Sequence, residues 1–150
     1  MYSFIADVHL GKLARLLRMI GFDTLYSNQL TFKQIIRLAI QENRILLTRS
    51  SHIKPQSLLQ FFIVTDEESF KQSEQVIHHF NLLQEMHPFT RCTICNGILE
   101  RISKENIFDK LPPKTILYFD DFWQCNNCHR IYWKGSHYEH MQQILAKYGL

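Results

Sequence analysis

The sequence predicts an α/β fold in which a parallel sheet is flanked by helices and is followed by a small β-rich module and a short C-terminal helix. As far as Leu83, short apolar runs alternate with segments whose apolar residues recur at helical spacing, a pattern typical of parallel strands covered by helices. After Leu83 this alternation ends, and cysteine pairs and aromatic residues follow. The change predicts two modules, residues 1–86 and residues 87–150.

Four apolar runs in the first module predict strands, at residues 2–6, 23–26, 44–48 and 61–65. The segments between and after them predict three helices. The first carries apolar residues from Leu10 to Ile20 and ends at Gly21, a natural C-cap. The second begins after Thr31, which is a suitable N-cap, and the third covers residues 67–80. In the second module, apolar residues after Gly135 predict the C-terminal helix.

All the cysteines of the chain stand in two Cys-x-x-Cys pairs. They are Cys92, Cys95, Cys125 and Cys128. A two-residue gap lets one tight turn point both sulfurs at the same tetrahedral ion. Asn96 and Gly97 follow the first pair and His129 follows the second, and these residue types tolerate a positive φ. The pattern therefore predicts a zinc ribbon, with residues 96–124 forming a pair of hairpins and the four cysteines holding one structural Zn²⁺.

Two disulfides or two separate redox motifs are the alternatives to zinc. They are disfavoured because no signal peptide precedes the first strand and disulfides are rare in the cytosol. A chain of 150 residues with 45% hydrophobic content suits one or two compact units. No apolar run approaches the roughly 20 residues that span a bilayer. We therefore expect a cytoplasmic protein that does not associate with membranes.

Basic residues are concentrated in the first third of the chain. Residues 1–54 contain eight Lys/Arg against three Asp/Glu, residues 55–90 contain one against five, and the remainder contains eight against six. Such an excess favours an anionic partner, although a solvated surface is the commoner role of such charge. On the first helix, Lys12, Arg15 and Arg18 are assigned to the face opposite the apolar residues. We expect these three side chains to contact RNA phosphates.

Polar side chains follow three of the predicted strands. Asp7 follows the first, Arg49 and Ser50 follow the third, and Asp66 follows the fourth. Ligands of an open parallel sheet bind outside the carboxyl ends of its strands. Carboxylates there suit Mg²⁺ or Mn²⁺, and a metal-activated water can hydrolyse a phosphodiester. Asp7 and Asp66 are therefore the predicted catalytic residues, and Arg49 is a predicted RNA-binding residue. The structural alternatives are that both aspartates cap helices and that Arg49 is an ordinary surface residue.

Motifs spread over nearly the whole chain carry a family resemblance. In the first module they are Phe-Ile-Ala-Asp at residues 4–7, Leu-Gly-Lys-Leu-Ala-Arg-Leu-Leu-Arg at 10–18, Gly-Phe-Asp-Thr at 21–24 and Arg-Ile-Leu-Leu-Thr-Arg at 44–49. In the second they are Arg-Cys-Thr-Ile-Cys-Asn-Gly at 91–97 and Tyr-Trp-Lys-Gly-Ser-His-Tyr at 132–138. Together they resemble the Mut7-C domain proteins, which join a PIN-like ribonuclease module to a zinc ribbon. The resemblance implies metal-dependent RNA cleavage, with Asp7 matching the acid that ends the first strand.

The sequence departs from the pattern of that family at two places. The family usually continues Leu-Leu-Thr-Arg with an aspartate, whereas this chain has Ser50 and Ser51. An acidic pair commonly opens the second helix, where this chain reads Gln-Leu-Thr-Phe at residues 29–32. Hydroxyl groups do not replace carboxylate charge at a Mg²⁺ site, so the departures predict weaker metal binding.

Two hypotheses of function follow. The first is a metal-dependent ribonuclease with a depleted acidic set that relies on Asp7, Asp66 and Glu42. Asp23 is less suitable because it precedes its strand and is expected at the opposite edge of the sheet. The second is a catalytically inactive adaptor that binds RNA or another protein. RNA is the expected partner under both hypotheses, and a protein partner belongs to the second.

Overall fold

Two units make up the chain in the computed structural model, which describes every residue from Met1 to Leu150. Unit 1 is Met1–Asn96, and unit 2 is Gly97–Leu150. The boundary that the sequence places between residues 86 and 87 lies inside unit 1. The division into modules at residues 86 and 87 stays a prediction.

Unit 1 contains a four-stranded parallel sheet in the order β2-β1-β3-β4. Its strands are β1 (Phe4–Ala6), β2 (Thr24–Leu25), β3 (Ile45–Thr48) and β4 (Phe61–Ile63). Ile5 pairs with Leu46, and Thr48 pairs with Ile63. All residues of β3 are buried, as expected for an internal strand with both faces covered. The predicted parallel sheet is confirmed, and each strand is shorter than its apolar run.

Three helices accompany this sheet. They are α1 (Gly11–Met19), α2 (Phe32–Gln41) and α3 (Ser69–His79), and a short 3-10 helix at Leu83–Glu85 follows them. Gly21 lies just beyond α1 with φ of 102°, so it ends the helix as predicted. Thr31 is the N-cap of α2, and its hydroxyl accepts from the Gln34 backbone N–H while the Gln34 side chain bonds back to Thr31.

The two faces of the sheet pack against different helices. Ile5 and Leu46 form a buried cluster with Ile35 and Ala39 of α2. Neighbouring residues of a strand point to opposite faces, so Phe4 lies on the other side of the sheet. There its ring meets Phe22 edge-on at 6.3 Å between centroids. On this side α1 packs against α3, so the sheet is flanked by helices as the sequence predicts.

Unit 2 contains a separate three-stranded antiparallel sheet in the order β5-β6-β7. Its strands are β5 (Leu99–Ile102), β6 (Phe122–Cys125) and β7 (Ile131–Tyr132). A 3-10 helix at Lys104–Asn106 and helix α4 (Pro113–Tyr118) lie between β5 and β6, and α5 (Ser136–Ala146) ends the unit. The predicted C-terminal helix is therefore confirmed. None of the helices has both the length and the apolar character needed to cross a bilayer.

The prediction of a pair of hairpins over residues 96–124 is wrong. β5 and β6 do pair antiparallel, with Ile102 opposite Phe122, but the segment that joins them contains a 3-10 helix and α4 and no further strand. Pro113 occupies the first turn of α4, where the absence of a backbone N–H costs no hydrogen bond and the fixed φ suits a helix. The proline therefore starts a helix here and does not mark a turn.

Candidate functional site

Asp7 lies directly after β1, at the carboxyl edge of the parallel sheet, and only 5% of its surface is exposed. The Thr48 hydroxyl donates to Asp7 Oδ2 at 2.7 Å, and the His9 backbone N–H donates to Oδ1 at 2.9 Å. The Thr48 oxygen in turn accepts from the Ser50 backbone N–H at 3.0 Å. Each carboxylate oxygen keeps a lone pair that is not used by these bonds. The structure thus joins Asp7 to the residues that follow β3.

A capping role does not explain Asp7. The N-cap of α1 is Leu10, and no side chain bonds to the first turn of this helix. Asp7 instead bonds the backbone of His9, ahead of the helix. Burying a carboxylate has a large desolvation cost, so a buried carboxylate is expected where hydrogen-bond partners or a function compensate for that cost.

Asp66 is less buried than Asp7, and its hydrogen-bond partners are Glu68 and Gln72. Its Oδ1 accepts from the Glu68 backbone N–H at 2.9 Å, and its main-chain oxygen accepts from the Gln72 side chain at 2.8 Å. Glu68 is the N-cap of α3, so Asp66 supports the chain as it enters that helix. No side chain bonds to the first turn of α3, and the bond from Glu68 to Asp66 is of the same kind as the bond from His9 to Asp7, so capping does not explain Asp66 either.

The acidic residues of unit 1 form no metal-binding cluster of three. The four cysteines are the only group of three or more His, Cys, Asp or Glu side chains whose ligand atoms lie close enough for one ion. Glu42 follows α2 and precedes β3, and it bonds Arg44 at 2.7 Å. The expectation that Glu42 joins Asp7 is wrong, because residues preceding a parallel strand lie at its amino edge. What remains at the carboxyl edge suits a weakly held hard cation, since Mg²⁺ binds through one or two carboxylates, waters and substrate phosphates.

Three of the predicted RNA-binding side chains are exposed. Lys12 and Arg15 lie on the outer face of α1. Arg49 follows β3, and its guanidinium approaches the Glu67 carboxylate at 3.9 Å, which brings the end of β3 near the loop that precedes α3. A contact of this length between exposed groups contributes little stability, so Arg49 stays available to an anion.

Arg18 does not share that exposed face, and the prediction that it does is wrong. The residue is only 3% exposed. Its Nε donates to the Thr24 carbonyl oxygen at 2.8 Å, and its Nη1 donates to the carbonyl oxygens of Thr93 and Ile94 at 3.1 and 3.0 Å. Burial lowers the pKa of the Arg18 guanidinium, while the nearby Cys95 and Cys92 act in the opposite direction.

The four cysteines meet as the sequence predicts. Their Sγ atoms all lie within 4.8 Å of one another, and no disulfide joins them. Four sulfurs about 2.3 Å from a central zinc ion would be separated by about 3.8 Å, so the cluster fits a tetrahedral metal site. In unit 2, a Cβ on Gly97 would collide with the Cys125 sulfur. Glycine at this position therefore leaves space for the ligand.

The two Cys-x-x-Cys turns have the same backbone geometry. The Asn96 N–H donates to the Cys92 carbonyl oxygen at 2.9 Å, and the His129 N–H donates to the Cys125 carbonyl oxygen at 3.0 Å. Asn96 and His129 both have positive φ, at 73° and 62°. Asn and His are among the residues that adopt this conformation most readily, which is the signal the sequence carries for both turns.

Sequence reasoning missed the network that fixes the first cysteine turn within unit 1. The Asn96 side chain accepts from the Thr24 backbone N–H at 2.9 Å and donates to Asp23 Oδ1 at 2.7 Å. Arg44 donates to the same Asp23 oxygen at 2.7 Å. Burial by itself raises the pKa of Asp23, but the hydrogen bonds from Arg44 and Asn96 outweigh it and hold this pKa below its ordinary value. Asp23 lies at the amino edge of the sheet, as expected.

Comparison with known proteins gives one match. The model of the Mut7-C RNAse domain family matches residues 2–145, which is nearly the whole chain. No curated protein and no solved structure matches.

Proposed function

The chain belongs to the Mut7-C RNAse domain family, and we propose that it cleaves RNA with the help of a divalent metal held by a reduced acidic site. The family suggests a nuclease-like role in RNA processing. The single observation that supports catalysis by this chain is the buried Asp7 carboxylate at the carboxyl edge of the parallel sheet.

In this proposal Asp7 is the principal metal ligand. Thr48 and the His9 N–H fix the orientation of the carboxylate and leave one lone pair on each oxygen for a cation. Mg²⁺ or Mn²⁺ bound there would polarise a phosphate oxygen and lower the pKa of a bound water. Asp66 contributes as a weaker second carboxylate, because it is less buried than Asp7 and water screens its charge more.

Lys12, Arg15 and Arg49 are the proposed RNA contacts. Lys12 and Arg15 lie on α1, which begins four residues after Asp7, and Arg49 follows β3 beside Thr48. Exposed cations near the carboxyl edge of the sheet would hold the sugar-phosphate backbone and give a binding constant that falls as salt rises. Arg18 is not one of the proposed RNA contacts, because its Nε and Nη1 groups donate to main-chain carbonyl oxygens.

We further propose that unit 1 is a PIN-like module and that unit 2 carries the remainder of a zinc ribbon. The parallel sheet with its helices supports the first assignment, and the matched cysteine turns with the antiparallel sheet support the second. The metal at the cysteines would be Zn²⁺ with a structural role, since four thiolates leave no position for water or substrate.

A second candidate function is an adaptor that binds RNA without cleaving it. The geometry of Asp66 favours it, because this carboxylate supports the entry to α3 and only one buried acid is left at the edge of the sheet. In this role Lys12, Arg15 and Arg49 still bind RNA phosphates. The protein acts by binding RNA or a protein partner, without catalysis.

Cleavage of RNA separates the two candidates. The zinc-loaded protein would be incubated with single-stranded and structured RNAs in the presence of Mn²⁺, beside Asp7→Asn, Asp66→Asn and Ser50→Asp. Ribonuclease function predicts cleavage that Asp7→Asn abolishes and that Ser50→Asp increases, because the added carboxylate strengthens metal binding. Asp66→Asn should reduce cleavage less than Asp7→Asn does.

Intact RNA under every condition, with binding that weakens as salt rises, would favour the adaptor. Cleavage that survives Asp7→Asn would remove Asp7 from the proposal. For the second metal, about one equivalent of zinc per chain is expected in the purified protein, and Cys92→Ser or a chelator should remove it and lower the thermal stability. Protein that contains no zinc and keeps its stability after chelation would contradict the zinc assignment.

A further inference from the structure

The side chain of Arg18 is buried at the end of α1, and Asp23 is the only carboxylate whose charge influences it. No carboxylate forms an ion pair with it. All its hydrogen bonds go to main-chain carbonyl oxygens. A buried guanidinium keeps its charge, because arginine does not lose its proton in proteins. Burying that charge is costly unless an opposite charge compensates it, so a source of negative charge is required nearby.

The hydrogen bonds of Arg18 identify the source of this negative charge. Two of the three accepting carbonyls belong to Thr93 and Ile94, which are the two residues between Cys92 and Cys95. The guanidinium therefore rests against the main chain of the first cysteine turn. Zinc with four thiolate ligands carries a net charge of about −2, and the C-terminal end of α1 adds a partial negative charge from its carbonyl groups.

We propose that Arg18 is a positioning residue of the metal site, which clamps the carbonyls of the first cysteine turn and compensates the negative charge of the metal-thiolate centre. It does so from the last turn of α1, so occupancy of the metal site also stabilises this helix. The proposal rests on the proposed zinc assignment and is independent of whether the protein cleaves RNA.

The chemistry gives separate expectations for two replacements. Arg18→Met removes the charge and all the donors while keeping an unbranched side chain. Arg18→Lys keeps the charge but loses the planar group whose Nε and Nη1 reach carbonyls of separate segments. Groups that hold a metal's ligands typically contribute roughly 10- to 100-fold to its affinity. Arg18→Met should therefore lose zinc affinity by roughly 10- to 100-fold, and Arg18→Lys should recover part of the loss.

The measurement is competition for zinc between the full-length protein and a chromogenic chelator, together with the absorption spectrum of the cobalt-substituted protein. Arg37→Met, an exposed arginine on α2, is the control for removing a surface charge. Ile35→Ala, in the core beneath α2, is the control for a loss of stability away from the cysteines. Both controls should keep the wild-type zinc affinity and cobalt spectrum, while Arg18→Met should weaken the affinity and shift the spectrum.

Unchanged zinc affinity and an unchanged cobalt spectrum in a folded Arg18→Met would overturn the proposal and leave Arg18 as a structural residue of unit 1. If Arg18→Met fails to fold, amide hydrogen exchange of the wild-type protein, with and without chelator, tests the proposal. The proposal predicts that chelation accelerates amide exchange in the last turn of α1 more than in α2, and equal changes would contradict it. Protein that binds no zinc before any substitution would instead refute the underlying zinc assignment.

Discussion

Asp7 and Thr48 form a buried pair in which a hydroxyl group satisfies one carboxylate oxygen. Thr48 Oγ1 donates to Asp7 and accepts from the Ser50 N–H, so one side chain satisfies groups from the ends of two strands. Losing it would leave a buried acceptor and a backbone donor without partners. Such losses are more costly than the net value of the bonds themselves.

Replacement of Thr48 by valine tests this pair. We expect Thr48→Val to lower the free energy of unfolding by about 1–3 kcal/mol, because its shape is kept and only the hydroxyl is lost. Urea denaturation measures the change. Thr48→Ser keeps the hydroxyl and should be closer to the wild type. Thr48→Val that is as stable as the wild type, with a loss of stability only in Thr48→Ser, would indicate that the methyl group of Thr48, and not its hydrogen bonds, is responsible.

The ionisation of Asp23 makes the stability of the protein depend on pH. Its pKa is lower in the folded state than its ordinary value of about 3.9, because Arg44 and Asn96 donate to it. A carboxyl group of this kind stabilises the fold at any pH above its unfolded-state pKa. The contribution is lost as the pH falls through the folded-state pKa.

Asp23→Asn should therefore cost about 1–3 kcal/mol near neutral pH, since Arg44 loses a charged partner, and the cost should shrink below about pH 4. Urea denaturation of both proteins over this range measures the difference. Asp109→Asn, at an exposed position, is the matched control and should stay close to the wild type throughout. A cost that is constant with pH would show that ionisation of Asp23 does not contribute.

At the scale of the elements, α1 connects Asp7 with the first cysteine turn. It begins just after Asp7 and ends at the turn where Arg18 meets the first cysteine pair. The sequence predicts the helix and its buried leucines correctly, because their spacing follows the helical period. It misplaces Arg18 because each step of three residues falls about 60° short of a full turn, which puts Arg18 about 120° from Lys12 around the helix.

The end of α1 depends on a glycine. Gly21 has φ of 102°, and a Cβ there would collide with the carbonyl oxygen of His87, whose N–H donates to Ile20. We expect Gly21→Ala to lower the free energy of unfolding by more than about 1 kcal/mol, from backbone strain and the displaced loop. Gly149→Ala, at φ of 83° in open space, isolates the strain alone and should cost less. Equal costs in denaturation experiments would contradict the role of the His87 contact.

Helix α4 shows where reading the elements from sequence fails. Its six residues are too few to show a helical period, and the prolines at its N-cap and first position indicate a turn as readily as a first helical turn. The longer helices of unit 1 have periods that identify them. The same physical reason explains both outcomes, since a pattern is informative only when an element is long enough to repeat it.

For the whole molecule, the proposed function requires two chemically different metal sites. Thiolates at the four cysteines suit Zn²⁺, whereas the Asp7 carboxylate suits Mg²⁺ or Mn²⁺. The cysteine site was predictable because spacing and residue type alone define it. The bonds from Arg18 to Thr93 and between Asn96 and Thr24 join residues more than 70 positions apart, and no local pattern encodes such contacts.

Binding of Mn²⁺ to the zinc-loaded protein tests the role of Asp7 most directly, because Mn²⁺ prefers oxygen ligands and leaves the thiolates to zinc. We expect the wild type to bind one Mn²⁺ weakly, Asp7→Asn to lose this binding, and Ser50→Asp to bind more tightly. Electron paramagnetic resonance of free Mn²⁺ measures all three. Mn²⁺ binding that is the same in Asp7→Asn as in the wild type would contradict a metal-dependent site at the edge of this sheet.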